Sequence, residues 1–313
     1  MPVQMICASH SPLMLTDIDA TDATAQQAFF DAVADAKRTL EEYDPELVVV
    51  FGPDHFNGFF FDLMPMFCIG TAAESTEDWE LVPARLDVPE DLAMECARTL
   101  HRQDIDIAVS RDMKVDHGIT IPLFKLIGTL DRYPVLPIFV NCAADPRPSF
   151  RRVRTLGEAV GRFLAETGKR VAVIGSGGLS HDPPTPRIAT APPEVAARLI
   201  HRNTPTTADL DARQANVVRC AQELVEGGGP CMPPSEAWDR AFLDKILSFD
   251  TGALDAITDD EIDEMAGFGG HEVRCWVAAN AAARAMGAAS PELTCYRMIP
   301  EWITGMGVVV GRG

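Results

Sequence analysis

A chain of 313 residues, 47% hydrophobic and 23% charged, is globular in composition and long enough to bury a large core. Its formal net charge of −19 sets an acidic surface against phosphate backbones, which argues against a nucleic-acid partner. No apolar run approaches the ~18 residues of a membrane span, and the start MPVQMICASH lacks the basic region of a signal peptide. The expected setting is the cytoplasm, with no membrane partner.

In chain order, short β-branched runs alternate with longer helical patterns. Residues 3–8 read as a strand, 21–43 as a helix, and 46–51 as a strand around LVVVF. Next come a helix at 89–102, an extended run at 105–110, a helix at 119–130 and an extended run at 135–141. A helix at 149–166 leads into a strand at 169–175. From about residue 190 the pattern turns helical, through 207–226, 235–249, 259–266 and 272–286, with GGGPCMPP at 227–234 as a loop. This alternation predicts an α/β fold, a layered sandwich around a mixed or mainly parallel sheet. One domain over 1–313, with a helical C-terminal portion, is the preferred division.

The eight cysteines include no C-x-x-C pair, which removes zinc ribbons and thioredoxin motifs and suits reduced, buried thiols. In an open α/β sheet, ligands bind where strands hand the chain to loops at their carboxyl ends. His10 follows the first strand in CASHSP, His55 follows LVVVFGPD, and His181 follows VAVIGSGGLS. His117 sits in the turn VDHG. One such histidine would be uninformative, but four at loop positions on one sheet edge point to a shared metal or catalytic site. His101 and His201, beside Arg102 and Arg202 in charged helical contexts, read as structural or surface residues. His271 and Glu272 open a helix, but position 275 is Cys, so H-E-x-x-H fails. Adjacent helical residues diverge by about 100°, so one of the two faces the site, and spacing leaves open which. GSGG at 175–178 lacks the third glycine of a dinucleotide loop and reads as a tight turn that lets Ser180 and His181 enter a crowded site.

With these residues collected, the chain resembles the class III, or LigB-type, extradiol ring-cleavage dioxygenases. The matching segments are SHSPL at 9–13, DPELVVVFGPDHFNGFFFDLMP at 44–65, VDHG at 115–118, VLPIFVN at 135–141 and GSGGLSH at 175–181. HEVRCWVAA at 271–279 and IPEWITGMG at 299–307 complete nearly the whole chain, while 74–80 and 183–234 match least. The resemblance implies that His10, His55 and Glu272 hold Fe(II), that His117 and His181 form the acid–base pair, and that Asp54 and Asp116 support them from behind. For both aspartates, simple turn formation is the competing reading. It further implies O2-dependent extradiol cleavage of 3-(2,3-dihydroxyphenyl)propionate and related acids such as 2,3-dihydroxycinnamate, in a homo-oligomer. Two histidines and a carboxylate also describe zinc hydrolases, so metal identity does not follow from the ligands alone. The substrate carboxylate needs a cation, for which Arg274 and Arg297 are the candidates; a surface salt bridge is the commoner fate of an arginine.

Overall fold

The computed structural model describes residues 3–16, 18, 21–79, 81–202 and 205–313. Strand β1 (Val3–Ala8) is followed by α1 (Ala23–Tyr43), β2 (Leu47–Gly52), β3 (Phe67–Gly70) and β4 (Ala73–Ser75). Then come α2 (Glu90–His101), β5 (Ala108–Ser110), β6 (Met113–Val115), α3 (His117–Ile127) and β7 (Val135–Val140). Helix α4 (Phe150–Glu166) leads into β8 (Val171–Ser176). The helical portion comprises α5 (Pro193–Ile200), α6 (Thr207–Val225), α7 (Glu236–Ser248), α8 (Thr251–Asp255), α9 (Asp259–Met265) and α10 (Val273–Ala285). The chain then returns to the sheet as β9 (Glu292–Ile299) and β10 (Thr304–Arg312).

Those last two strands are absent from the periodicity reading, and β9 shows why. Its burial alternates irregularly, and a register shift at Val308/Val309 of β10 interrupts the period of two. Helix α3 also starts earlier than its apolar pattern, at His117, because the Asp116 side chain accepts from the Gly118 N–H and caps it.

The main sheet runs β5-β3-β7-β2-β8-β1-β10-β9. Its centre, β7-β2-β8-β1, is parallel; β3 meets β7 and β10 meets β1 antiparallel, which makes the sheet mixed around a parallel heart. Helices cover both faces, so the central strands are apolar throughout rather than alternating. Val49 and Phe51 of β2 join Val153, Leu156 and Val160 of α4 on one side. Val48 and Val50 join Phe29, Val33 and Leu40 of α1 on the other. Full burial of each such side chain contributes roughly 1.5–3 kcal/mol. Alanine-rich α10 is buried from Val273 to Ala283 and packs against both the sheet and α4.

The eight cysteines are all buried free thiols. No helix among the described residues is long and apolar enough to cross a membrane. For function, the decisive feature is the adjacency of β2, β8 and β1. Their parallel carboxyl ends deliver three loops side by side to one edge of the sheet.

Candidate metal centre

His10, His55 and Glu272 converge beyond those strand ends. Glu272 Oε1 lies 2.9 Å from His55 Nε2, and Oε2 lies 4.0 Å from His10 Nε2. Two donors ~2.1 Å from one ion and at right angles stand about 3 Å apart, which is the spacing of the Glu272–His55 pair, while the Glu272–His10 pair is wider. The same region admits a rival set, because His10, His55 and His117 also bring ligand atoms within 4.8 Å of one another. Ring orientation separates the two sets. His55 and His117 stack at 4.1 Å with planes 19° apart, so their in-plane lone pairs run side by side rather than toward one point. His10 and His55 meet edge-on at 80°. A carboxylate also brings the charge that two neutral imidazoles lack.

Each of the three side chains is held by a partner, which for the two histidines sets the tautomer. Asp116 Oδ2 accepts from the His55 backbone N–H at 2.7 Å and lies 3.1 Å from Nδ1, leaving Nε2 as the donor atom. Asp116 thus serves His55 rather than its own neighbour His117. Behind His10 the support runs through a proline. Pro122 has no N–H for the helical bond to Gly118 O, and the Ser176 hydroxyl donates to that carbonyl at 2.5 Å. The same hydroxyl is then an acceptor for His10 Nδ1–H at 3.1 Å, which points the Nε2 lone pair at Glu272. The Gly178 N–H donates to Glu272 Oε2 at 2.9 Å. Gly177 permits this close packing: its φ is +120°, and a Cβ there would meet the Glu272 carbonyl at 2.7 Å.

Electrostatics agree with this division. Burial lowers the His10 pKa to about 3, with the other histidines adding to it and Glu272 opposing, so the ring is neutral. Burial alone would raise Glu272, but the charges and hydrogen bonds of His181, His10 and His55 outweigh it and hold the carboxyl well below its usual range. Burial likewise disfavours charge on His55, yet Asp116 and Glu272 overcome it and raise that pKa. The field that favours a proton there also favours a divalent ion. If this support matters, Ser176→Ala should weaken metal affinity about 10–100-fold without unfolding the chain. Competition with a metal-binding dye would measure it, and unchanged affinity would reject the relay from Pro122 through Ser176 to His10.

His117 and His181 flank the triad. The His181 Nδ1–H donates to Leu179 O at 2.8 Å, leaving Nε2 as a proton acceptor 3.5 Å from Glu272 Oε1. Burial opposes a charged His181, but Glu272 and Leu179 O prevail and raise its pKa. Gly269 makes this position possible, since a Cβ would sit 2.1 Å from His181 Nε2. His117 pairs through Nδ1 with Asp78, whose Oδ2 also accepts the His117 backbone N–H at 3.3 Å. Asp78 lies in the acidic run 74–80, where nothing in the sequence marks it as the partner of a histidine.

Several sequence expectations are corrected by placement. Among the described residues, Asp54 bonds to none of these side chains; its carboxylate accepts from the backbone N–H groups of Asn57, Gly58 and Phe59 and shapes the turn. Ser180 faces away from the cavity, its hydroxyl accepting from Ser235 N–H at 2.7 Å. Arg274 is fully buried behind the helix, bonded to Pro148 O, His271 and Asp259. Arg297 is exposed on β9, where it donates to Tyr296 O. Neither arginine lines the cavity; Arg198 and Arg213 do. His271 points to Arg274 and Asp263, which leaves Glu272 as the member of that pair that faces the site. His101 bonds Ile107 O and His201 ends α5 at the surface, both as structural residues.

The cavity measures about 420 Å³ and exposes the triad, His117 and His181 to a largely apolar wall that includes Leu13, Phe56, Trp79, Trp302 and Ile303. Phe56, Trp79 and Ile303 have φ of 58°, 51° and 58°. Such left-handed backbone costs about 1–3 kcal/mol per residue and is tolerated where it aims side chains into a site.

Residues 4–307 match the family model described as the catalytic LigB subunit of aromatic ring-opening dioxygenase. Among curated relatives, the 2,3-dihydroxyphenylpropionate/2,3-dihydroxicinnamic acid 1,2-dioxygenase of Cupriavidus pinatubonensis is 46% identical over 309 residues, covering 99% of this chain and 98% of its own. The protein of the same name from Paraburkholderia xenovorans is 46% identical over 312 residues, covering 100% and 98%. That from Mycolicibacterium gilvum is 47% identical over 306 residues, covering 98% and 96%.

Proposed function

The chain belongs to the LigB family of aromatic ring-opening dioxygenases, and we propose that it performs extradiol cleavage of 3-(2,3-dihydroxyphenyl)propionate and related acids such as 2,3-dihydroxycinnamate, using Fe(II). The observation that carries this reading is the convergence of Glu272 with His10 and His55 in a cavity that His117 and His181 also enter. The relatives named above are called dioxygenases of these two acids.

His10, His55 and Glu272 would hold the iron, a donor set of two histidines and one carboxylate that would leave room for further ligands. When bound, Fe(II) supplies adjacent sites for a catechol and O2 and a route for electrons between them. The chain's own residues do the rest. His181 accepts a catechol proton at Nε2, its Nδ1–H being tied to Leu179 O. His117 donates a proton from Nε2 when the ring opens; Asp78 at Nδ1 orients it and gives the protonated ring a counter-charge. The aromatic and aliphatic walls fix the plane of the catechol ring and keep water from the reacting atoms. Both oxygen atoms enter the product, a hydroxy-oxo-dienedioate, and the ring opens between the hydroxylated carbon and the carbon bearing the side chain.

The test is anaerobic loading with Fe(II) or Zn(II), followed by aerobic incubation with a panel of catechols. Coloured ring-fission product with iron alone, and a higher kcat/KM for the propionate than for catechol, are the expected results. Product with zinc alone rejects the iron assignment, and equal kcat/KM for the two compounds rejects the substrate.

A further inference from the structure

One wall of the cavity comes from α5 and α6, in the part of the chain whose sequence resembles the family least. It brings Arg198 and Arg213 to a cavity in a protein of net charge −19, where an arginine pair facing a ligand site is not expected from composition. Arg213 is half-buried and, among the described residues, has no hydrogen bond or ion pair. Two carboxylates that also border the cavity, Asp209 and Asp78, reach it by charge without forming an ion pair with it among the described residues. Asp209 closes the N-terminal capping box of α6, with Oδ2 3.0 Å from Thr206 N and 2.7 Å from Thr206 Oγ1. Asp78 is the partner of His117. Asp78 thus adjoins the catalytic histidine while lying within electrostatic range of Arg213. Burial first, and the charge of Arg198 second, depress the Arg213 pKa, the direction for a cation short of counter-charge.

We infer that Arg213 binds the side-chain carboxylate of the aryl acid, with Arg198 adding positive potential to the same wall. The inference rests on the dioxygenase reading above and names the group that would make that site select an acid. A guanidinium meets a carboxylate through two parallel charge-assisted hydrogen bonds, and the apolar lining of the cavity strengthens them. A neutral catechol would leave Arg213 half-desolvated with nothing to bind. Discrimination then comes from the penalty on the wrong ligand as well as from attraction to the right one.

The experiment compares the Fe(II)-loaded wild type with Arg213→Met and Arg213→Lys. The substrates are 3-(2,3-dihydroxyphenyl)propionate and 3-propylcatechol, which share a shape but differ in charge. Arg213→Met should raise KM for the propionate about 10–100-fold, as expected for a hydrogen bond to a charged group, and leave 3-propylcatechol nearly unchanged. Arg213→Lys should recover part of the loss. Binding of 3-phenylpropionate, which has no catechol to engage iron, should weaken in parallel, read from the fluorescence of Trp79 and Trp302 in the cavity wall. Equal losses on both substrates, or an unchanged ratio with unchanged 3-phenylpropionate binding, overturn the assignment of Arg213 and leave the dioxygenase reading intact. A wild type that does not prefer the propionate over catechol rejects the substrate reading, and the role of Arg213 falls with it.

Discussion

Glu272→Ala is expected to yield a folded chain that neither retains metal nor cleaves a catechol. Glu272 supplies the only negative charge of the proposed triad, and its two oxygens address both imidazoles at once, at 2.9 Å and 4.0 Å. Removing it leaves two imidazoles around a divalent ion, with the Gly178 N–H also losing its acceptor. His10→Ala and His55→Ala should behave alike, because a three-donor site has no redundancy. The fold should survive, since the donors border a cavity at the end of the sheet and β1, β2 and β8 keep their apolar faces. Metal content after anaerobic reconstitution, read beside circular dichroism, is the measurement. Stoichiometric metal in an active Glu272→Ala protein would defeat the triad, and loss of metal from His117→Gln instead would favour the three-histidine alternative.

His117→Gln and His181→Gln should show the opposite split: metal retained, ring cleavage reduced about 10²–10⁴-fold. Glutamine keeps polarity and approximate size but exchanges no proton near neutral pH. The two variants should also differ in their pH profiles. A base must be neutral to act, so activity falls as pH drops through the His181 pKa, which lies above the ordinary histidine value. His181→Gln should lose that acidic limb, whereas His117→Gln should retain it. Asp78→Asn offers an internal check, because it leaves the His117 ring in place but removes its carboxylate partner. A kcat loss smaller than that of His117→Gln, with KM little changed, is expected. Should both histidine variants keep the acidic limb, the allocation of base to His181 is wrong.

Much of this was legible in the residues themselves. Short β-branched runs such as LVVVF, alternating with longer helical patterns, suit strands buried on both faces between helices, so the α/β class is legible in composition and period. Histidines placed just after such runs, beside glycine and proline, mark the strand-end loops where ligands bind. His10, His55 and His181 carry that local pattern, and His117 stands in the turn VDHG.

What local pattern could not supply was anything defined by convergence. Glu272 was separated from His271 only by where α10 enters the core, which turns one residue toward Arg274 and the other toward the cavity. Asp78 is 39 residues from His117, and Ser176 is 166 from His10. No spacing rule links such pairs, because their meeting depends on strand order and loop path. The arginines show the same limit from the other side. Arg274 stands two residues after Glu272 and Arg297 beside the IPEW segment, yet packing sends one into the core and the other to solvent. Arg198 and Arg213, in a stretch with no recognisable motif, reach the cavity only because α5 and α6 fold across it. A strand's apolar face and a turn's glycine are short-range consequences of covalent geometry and burial, and the sequence alone determines them. Which polar groups share a cavity is a long-range property of the packed chain, and only the tertiary structure decides it.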